Sequence, residues 1–244
     1  MKGVILSINP QATIVDISHE VTPQHTVEGG FLLWSSYKFL PHGTLFACVV
    51  DPGVGTTRRI LFVKTRSYFF LAPENDILEF VLSDEPPLRA MALDLNKASK
   101  LTLENISSTF NGRDIFAPLA AHHSLGRDLM KFGTRIPERT HTAPLVFSKD
   151  DPIRPSILHI DHFGNIVTNV CLTKEDQGHP AVSMAAVGAA MVSHRITNYQ
   201  EAPDRTPCLI VGSSGLLEVA VKNDNAARLL GATLATSLKI YWQS

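Results

Sequence analysis

The most informative part of the sequence is Leu45-Phe46-Ala47-Cys48-Val49-Val50-Asp51-Pro52-Gly53-Val54-Gly55-Thr56-Thr57-Arg58-Arg59-Ile60-Leu61-Phe62-Val63. Two apolar runs flank a turn rich in glycine, which is typical of two buried strands joined by a loop. Asp51 follows directly on the first run, and Arg58 returns seven residues later. Ligands of open α/β sheets bind at strand ends, so this turn is a candidate site. A structural salt bridge that fastens the turn is the competing interpretation.

Length and composition limit the class of protein. The chain has 244 residues, is 44% hydrophobic and carries a formal net charge of −1. This length suits one large domain or two modest ones. A nearly neutral chain without a Lys/Arg block does not have the footprint of a nucleic-acid-binding protein. No apolar run is long enough to span a bilayer, and the first residues do not form a signal peptide.

The three cysteines indicate the compartment. Cys48, Cys171 and Cys208 are widely spaced, odd in number and placed in apolar runs. These features favour buried free thiols in a reducing environment. We therefore expect a cytoplasmic protein.

Patterns along the chain predict two domains. An α/β domain is predicted over 1–140, a linker over 141–153 and a β domain or barrel over 154–244. The first domain is predicted to contain helices at 1–8, 27–39 and 115–121, with strands at 12–17, 44–50, 59–65 and 68–72. The second is predicted to contain strands at 157–161, 166–170, 207–211, 216–222 and 238–242.

Three further segments are candidate sites, each with a structural alternative. Asn111-Gly112-Arg113-Asp114 leads into a predicted helix, where it could face a ligand or cap the helix. Asp161-His162-Phe163-Gly164-Asn165 lies between two predicted strands and could bind an amine, a ring and a base edge, or close a hairpin as an Asx turn. Gly212-Ser213-Ser214-Gly215, followed by Leu216–Ala220, could allow close backbone approach to a ligand or form a plain β-turn.

Other common sites are not indicated by the sequence. The histidine pairs, His122 with His123 and His159 with His162, lack the supporting ligands of a zinc site. There is no P-loop, no GxGxxG after a strand and no nucleophile elbow.

Together these segments resemble one family, the S-adenosyl-L-methionine hydroxide adenosyltransferases, which are related to fluorinase and chlorinase enzymes. The resemblance runs from Met1 to about Ala226 and is specific because six segments occur in order and at matching spacing. The segments are Met1-Lys2-Gly3-Val4-Ile5-Leu6 with Ile8-Asn9-Pro10, Val15-Asp16-Ile17-Ser18-His19, Val49-Val50-Asp51-Pro52-Gly53-Val54-Gly55, Thr109-Phe110-Asn111-Gly112-Arg113-Asp114-Ile115-Phe116-Ala117-Pro118, Asp161-His162-Phe163-Gly164-Asn165 and Ser214-Gly215-Leu216-Leu217-Glu218-Val219-Ala220.

The resemblance implies an architecture and an assembly. We expect a three-layer α/β N-terminal domain with a Rossmann-like sheet, followed by a small β-barrel C-terminal domain. The family forms trimers in which the ligand lies between the N-terminal domain of one subunit and the C-terminal domain of the next. S-adenosyl-L-methionine is the substrate, and neither a cofactor nor a metal is expected.

The resemblance also implies a reaction and residue roles. Water or hydroxide attacks the ribose C5′ atom, and methionine leaves as a neutral thioether. Asp51 would polarise the water and Arg58 would orient that carboxylate, while an uncharged residue takes the place of Asp51 in the halogenating relatives. The implied substrate-binding residues are Asp161 for the methionine ammonium group, Asn165 for the adenine edge, Phe163 beside the ligand, the backbone near Ala220 for the purine, and also Ser214 and Glu218.

Two departures from the family bear on activity. The hydrolases carry His at the position of Asn111, and Asn can form hydrogen bonds but carries no proton at neutral pH. Loss of a general acid–base typically costs about 10²–10⁴-fold in rate. A first strand and a Thr-Asp-Phe-Gly-like loop, whose Asp holds the ribose hydroxyls, precede the family segment that matches Met1, so we expect impaired activity without them. A smaller departure is Glu74-Asn75-Asp76, where the family favours Asp-Asn-Gly.

Three functions remain in order of preference. The first is hydrolysis of S-adenosyl-L-methionine, impaired by these departures. The second is non-catalytic binding of S-adenosyl-L-methionine or adenosine. The third is a halogenase, which the carboxylate of Asp51 disfavours because it repels halide.

Overall fold

The structure, a computed structural model, describes residues 1–172 and 182–243. It divides into two compact domains, Met1–Ala143 and Pro144–Ser244, and each is described by itself. Within the described residues, every helix is too short or too polar to cross a bilayer.

The N-terminal domain combines one sheet with four α-helices. Its strands are β1 (Leu45–Ala47), β2 (Ile60–Lys64), β3 (Phe69–Pro73), β4 (Arg89–Leu93) and β5 (Gly133–Arg135). Its helices are α1 (Lys2–Ile8), α2 (Thr26–Ser36), α3 (Glu79–Asp84) and α4 (Ala117–Ser124), with short 3₁₀ turns at Tyr37–Phe39, Ser99–Leu101 and Leu129–Phe132. A π-helical turn, Gly112–Phe116, leads directly into α4.

The sheet has the order β1-β3-β2-β4-β5 and is mixed. Only β1 and β3 run parallel, whereas β2–β3, β2–β4 and β4–β5 are antiparallel. The short connection from Lys64 to Phe69 forces the antiparallel pairing of β2 with β3, because a parallel pair needs a long crossover. The described sheet is therefore mixed, where the resemblance implies a Rossmann-like sheet.

Alternate side chains of the central strands are buried on opposite faces. Phe62 and Leu71 belong to a cluster with Leu119 of α4. Val63 and Phe70 belong to another cluster that includes residues of α2 and α3. Since both faces are covered by helices, the domain has three layers, and its central strands are apolar almost throughout.

Most predicted elements of this domain are present, but one strand is not. The helices predicted at 1–8 and 27–39 and the strands predicted from 44 to 72 are confirmed within a few residues. The predicted strand at 12–17 is wrong, because this segment has no strand partner among the described residues and Val15 is 64% exposed. Strand propensity without a pairing partner does not make a strand.

The described residues of the C-terminal domain form two sheets and one short helix. The first sheet has the order β10-β11-β12-β7-β6, and the second has the order β13-β8-β9. The strands are β6 (Ile157–Ile160), β7 (Ile166–Cys171), β8 (Val182–Val187), β9 (Ala190–Val192), β10 (His194–Arg195), β11 (Pro207–Val211), β12 (Leu216–Val221) and β13 (Leu238–Trp242); the helix is α5 (Ala226–Leu230), and a 3₁₀ turn covers Tyr199–Glu201.

The two sheets share one hydrophobic core. Leu217 and Val219 of β12 belong to the same buried cluster as Val187 and Leu238 of the smaller sheet. The pairings among the described residues leave two separate sheets, so the closed barrel is not confirmed. The second face of the larger sheet carries a smaller cluster that includes Cys208 and Ala220. All three cysteines are free thiols, as the sequence predicts.

The ring of His123 gives the stability of the N-terminal domain a pH dependence. It packs against Phe69 and Phe62, with ring centroids 4.6 and 5.2 Å away, and burial lowers its pKa. Because the unfolded chain then binds the proton more tightly, stability is complete above the ordinary histidine pKa and falls as the pH drops below it.

We expect His123→Phe to reduce this acid sensitivity. The phenyl ring keeps the aromatic contacts but cannot be protonated. Urea unfolding at pH 7.5 and 5.5 measures the free energy of unfolding of both proteins, and the loss between the two pH values should be smaller in the variant. The neighbouring His122, whose pKa is also lowered by burial, is present in both proteins and cancels. Equal losses would contradict this account.

Candidate functional site

The turn after β1 holds Asp51 in a defined orientation. Nη1 of Arg58 donates to Oδ1 of Asp51 at 2.6 Å, and the backbone N–H of Gly53 donates to the same oxygen at 2.9 Å. The Asp51 side chain is only 10% exposed. No donor among the described residues reaches Oδ2. One carboxylate oxygen is therefore fixed by the protein, and the other is available to a ligand or water.

Glycines allow this turn to close. A Cβ atom at Gly53 would lie 2.6 Å from Cζ of Arg58, so the guanidinium group occupies space that any other residue would fill. Gly55 has a φ of +80°, and a Cβ atom there would lie 2.7 Å from the backbone oxygen of Ser108. The glycines thus bring Arg58 onto the turn and the turn onto the segment before Asn111.

A neighbouring turn secures the strand end from the other side. Nδ2 of Asn75 donates to the backbone oxygen of Val50 at 2.7 Å, and Glu74 pairs with both Nε and Nη2 of Arg59 at 2.5 Å. Asp76 has a φ of +64°, which explains why glycine is favoured at this position and why Asp is tolerated. In the sequence this turn stands out only as a departure from the family pattern, because no local pattern shows that Asn75 holds the segment between β1 and Asp51.

Asn111 lies directly before the π-helical turn. Its side chain forms no capping hydrogen bond, so the capping interpretation is wrong for this residue. A Cβ atom at Gly112 would lie 3.3 Å from Sδ of Met1 and 3.4 Å from Cγ1 of Val49, which places this segment beside the strand that leads to Asp51. No hydrogen bond joins Asn111 to Asp51 or Arg58 in the described part of the chain. Single π-turns are frequent at functional sites.

Asp114 serves the structure of this segment. It is fully buried and accepts hydrogen bonds from the backbone N–H of Ser107 at 2.8 Å and from Nε of Arg113 at 2.6 Å. The Arg113 hydrogen bond, followed by that from Ser107, lowers the pKa of Asp114. The guanidinium group of Arg113 also lies over the ring of Phe110, 5.1 Å from its centroid. Asp114 therefore ties the loop to the helix start.

In the C-terminal domain, the turn between β6 and β7 is organised by Asp161. Its Oδ1 accepts from the backbone N–H groups of Phe163 and Asn165 at 2.9 and 2.8 Å, and its Oδ2 accepts from Nδ2 of Asn165 at 2.9 Å. The Asx turn expected as the structural alternative is present. It leaves the ring of Phe163 75% exposed and Oδ1 of Asn165 without a donor among the described residues, so this turn presents a ring and an amide oxygen outward.

Gly164 fixes this turn against α5. Its φ is +87°, and a Cβ atom there would overlap the side chain of Asn225. Asn225 caps α5 by accepting from the backbone N–H of Arg228 at 2.7 Å, and the backbone N–H of Ala227 donates to Gly164 at 2.9 Å. The turn that carries Asp161 and Asn165 is thus built on the start of the helix.

Glu218 lies on β12, near the Asp161 turn. Burial, followed by the charge of Asp161, raises the pKa of Glu218 to about 7. Tyr199 belongs to the same group, because burial and then the charges of Glu218 and Asp161 raise its pKa. Tyr199 is not among the residues predicted from the sequence, because nothing in its local pattern marks it. Ser214 lies close by in sequence, in the β-turn closed by the hydrogen bond from Gly215 to Gly212 at 3.0 Å.

Ala220 can offer only its backbone. Its side chain is 1% exposed and packs in the smaller cluster. Pairing of β12 with β7 ends at Val219 opposite Ile166, so the register places Ala220 next to Asn165. The described residues thus form two groups: Asp51 with Arg58 in the N-terminal domain, and Asp161 with Asn165, Glu218 and Tyr199 in the C-terminal domain.

Comparison with known families gives two matches. Residues 1–133 match the SAM hydroxide adenosyltransferase N-terminal domain, and residues 155–239 match the SAM hydroxide adenosyltransferase C-terminal domain. Together the two matches cover most of the chain.

Named relatives and solved structures agree with these matches. An (R)-S-adenosyl-L-methionine hydrolase from Thermus thermophilus is 33% identical over 235 residues, covering 95% of this chain and 89% of that protein. A fluorinase from Nocardia brasiliensis is 28% identical over 200 residues, covering 69% of this chain and 65% of that protein. The crystal structure of an uncharacterized conserved protein from Thermotoga maritima superposes with a TM-score of 0.82 at 30% identity, covering 98% and 92% of the two chains.

We expect Gly164→Ala to destabilise the C-terminal domain more than Gly231→Ala does. Both residues have positive φ, which costs an alanine about 1–2 kcal/mol, but a Cβ atom at Gly231 meets open space. The overlap with Asn225 should add roughly 1–3 kcal/mol at Gly164. Urea unfolding measures both changes in the free energy of unfolding. Equal effects would show that the Asn225 contact does not constrain the turn.

Proposed function

This chain belongs to the SAM hydroxide adenosyltransferase family, and from that premise we propose that it hydrolyses S-adenosyl-L-methionine to adenosine and L-methionine. One observation carries the proposal. Asp51 has one oxygen fixed by Arg58 and Gly53, and its other oxygen has no donor among the described residues. A carboxylate held in this way suits the alignment of a water molecule.

The proposed chemistry balances with water alone. The water oxygen forms a bond to C5′ while the C5′–S bond breaks. The electron pair of the C5′–S bond goes to sulfur, which leaves as the thioether of methionine. The proton lost by the water passes to Oδ2 of Asp51 and then to solvent. No group has to protonate the leaving group, because the sulfonium already departs as a neutral molecule.

The carboxylate of Asp51 also favours water over halide. A fluorinase is among the relatives, but an anionic oxygen facing the nucleophile repels a halide ion and attracts a water hydrogen. Formation of 5′-halo-adenosine that depends on halide would revive the halogenase alternative.

The residues that we propose to bind the substrate lie in the C-terminal domain. We assign the methionine ammonium group to Asp161, the adenine edge to Asn165 and the backbone of Ala220, and a packing role to the exposed ring of Phe163. Ser214 and Glu218 complete the set. The proximity of Asn165 to Ala220 across β7 and β12 supports a shared role toward the purine.

The proposal extends to epimer, assembly and location. The names of the hydrolase relatives specify the R configuration, and we propose the same epimer as substrate here. We further propose a homotrimer with sites between subunits, no cofactor, and a cytoplasmic location. The free state of all three thiols supports this location.

A specific observation favours the second function, a non-catalytic binding protein. Asn111 replaces the expected proton carrier, and its side chain makes no hydrogen bond to Asp51 or Arg58. Such a protein would bind S-adenosyl-L-methionine tightly without turnover.

We expect the purified chain to release adenosine from S-adenosyl-L-methionine, and Asp51→Asn to lower kcat by about 10²-fold or more while KM changes little. The amide keeps the shape of the side chain but accepts no proton. Chromatography of adenosine measures both constants, and Asp94→Asn, at an acid of the same domain whose side chain is 36% exposed, serves as the control. A pure loss of affinity at unchanged kcat would remove Asp51 from catalysis. No adenosine from the unaltered chain would overturn the enzymatic proposal.

We expect Asn111→His to raise turnover by about 10-fold or more, because the imidazole can carry a proton that the amide cannot. Calorimetry with S-adenosyl-L-methionine and the adenosine assay separate binding from turnover. Binding without turnover in the unaltered chain, together with turnover in the variant, would favour the binding protein. Equal, measurable rates in both would contradict that alternative and show that proton transfer at position 111 does not limit the reaction.

A further inference from the structure

Glu218 is a polar residue in an apolar position of the larger sheet. Along β12 it lies opposite Ile210 of β11 and opposite Val167 of β7. Its neighbour two residues on, Ala220, packs in the smaller cluster on the second face of the sheet. Glu218 therefore points to the face that this cluster covers, away from the core between the two sheets.

The carboxyl group of Glu218 is placed by Gly212. A Cβ atom at Gly212 would overlap the carboxyl group of Glu218, so only glycine leaves room for it there. Glu218 forms no ion pair or hydrogen bond with another described residue. In contrast, Asp161 already accepts three hydrogen bonds from its own turn. No described residue therefore uses the capacity of the Glu218 carboxyl to accept hydrogen bonds.

Two described groups interact electrostatically with Glu218, Asp161 from the β6–β7 turn and Tyr199 from the 3₁₀ turn, and neither is a cation. His159 of β6 is the titratable group in the same row of the sheet, since it pairs with Val167, which also pairs with Glu218. Burial and the charge of Asp161 raise the pKa of Glu218 to about 7, so the carboxyl is about half protonated at neutral pH. A cation placed between the two carboxyls would favour its ionised form.

We propose that Glu218 is a second carboxyl that, beside Asp161, binds the α-ammonium group of the ligand and selects ligands that carry one. This inference rests on the proposed function, which supplies a substrate with an amino-acid half. An ammonium group has three donors and can donate to both carboxyls at once. Adenosine, which has no such group, gains nothing from Glu218.

The proposal has a consequence in proton binding. When the ammonium group binds, Glu218 ionises and releases its proton, which amounts to about half a proton per site at pH 7 when the pKa falls well below that value. Affinity for a ligand with an ammonium group therefore rises as the pH rises from 6 to 8, because such a ligand binds the ionised carboxyl more tightly. A ligand without the ammonium group shows neither effect.

Calorimetry with two matched ligands tests this. S-adenosylhomocysteine and 5′-methylthioadenosine share the nucleoside and a thioether that is not a good leaving group, but only the first has an α-ammonium group. Titrations at pH 7 in phosphate and in Tris, whose ionisation enthalpies differ, give the number of protons released. We expect about half a proton for S-adenosylhomocysteine, none for 5′-methylthioadenosine, and none for either ligand in Glu218→Gln.

Glu138→Gln is the matched control, since Glu138 is 77% exposed in the N-terminal domain, and it should behave as the unaltered protein. Equal proton release with both ligands, release that persists in Glu218→Gln, or no binding of S-adenosylhomocysteine would each overturn the proposal. The comparison of ligands in the unaltered protein does not depend on the folding of a variant.

The adenosine assay separates this inference from the proposed function. Proton release that depends on Glu218, in a chain without turnover, would leave the inference standing while the hydrolase proposal fails. Turnover without linked proton release would overturn the inference alone.

Discussion

Burial on both faces of the β2–β3 pair is the constraint on which the N-terminal domain depends. Phe62 and Phe70 have no exposed surface, yet they face opposite clusters. Burying one such side chain contributes roughly 1.5–3 kcal/mol, so both helical layers must stay in place. In these two strands the only polar side chain, Lys64, stands at a strand end, and Asp51 lies in the turn that precedes β2.

Four carboxyl groups differ in what their surroundings leave free. Asp114 accepts hydrogen bonds from its own loop and from Arg113. Asp161 accepts three hydrogen bonds from the turn in which it lies. Asp51 is held through one of its carboxylate oxygens. The carboxyl group of Glu218 lies against Gly212, and it has no hydrogen-bond partner among the described residues. The same chemical group therefore suits structure, substrate orientation, water alignment or charge selection according to how many of its acceptor sites the fold already occupies.

Sequence patterns were most informative where an element carries its own signal. The apolar runs around the Asp51 turn predicted β1 and β2, and the glycines between them predicted the turn. The Asp161 turn also formed as its residues indicate. The pattern failed for the segment 12–17, because strand propensity cannot tell whether a pairing partner exists. The pattern also gave no sign of Tyr199 or of the contact between Glu218 and Gly212. Both depend on how distant parts of the chain are brought together, which a local pattern does not show.

The replacement of a proton carrier by Asn111 costs less in this chemistry than in most hydrolyses. Where an amide is cleaved, the leaving amine needs a proton, and a general acid typically contributes about 10²–10⁴-fold to the rate. Here the sulfonium leaves as a neutral thioether, so the protein has only to align a water molecule behind C5′ and accept one proton. In the proposed reaction, Asp51, which Arg58 and the backbone of Gly53 hold in place, would perform both steps. The fold therefore retains what the proposed reaction demands most, a fixed carboxylate with one oxygen that has no donor among the described residues, and we expect Asn111 to change the rate rather than the kind of chemistry.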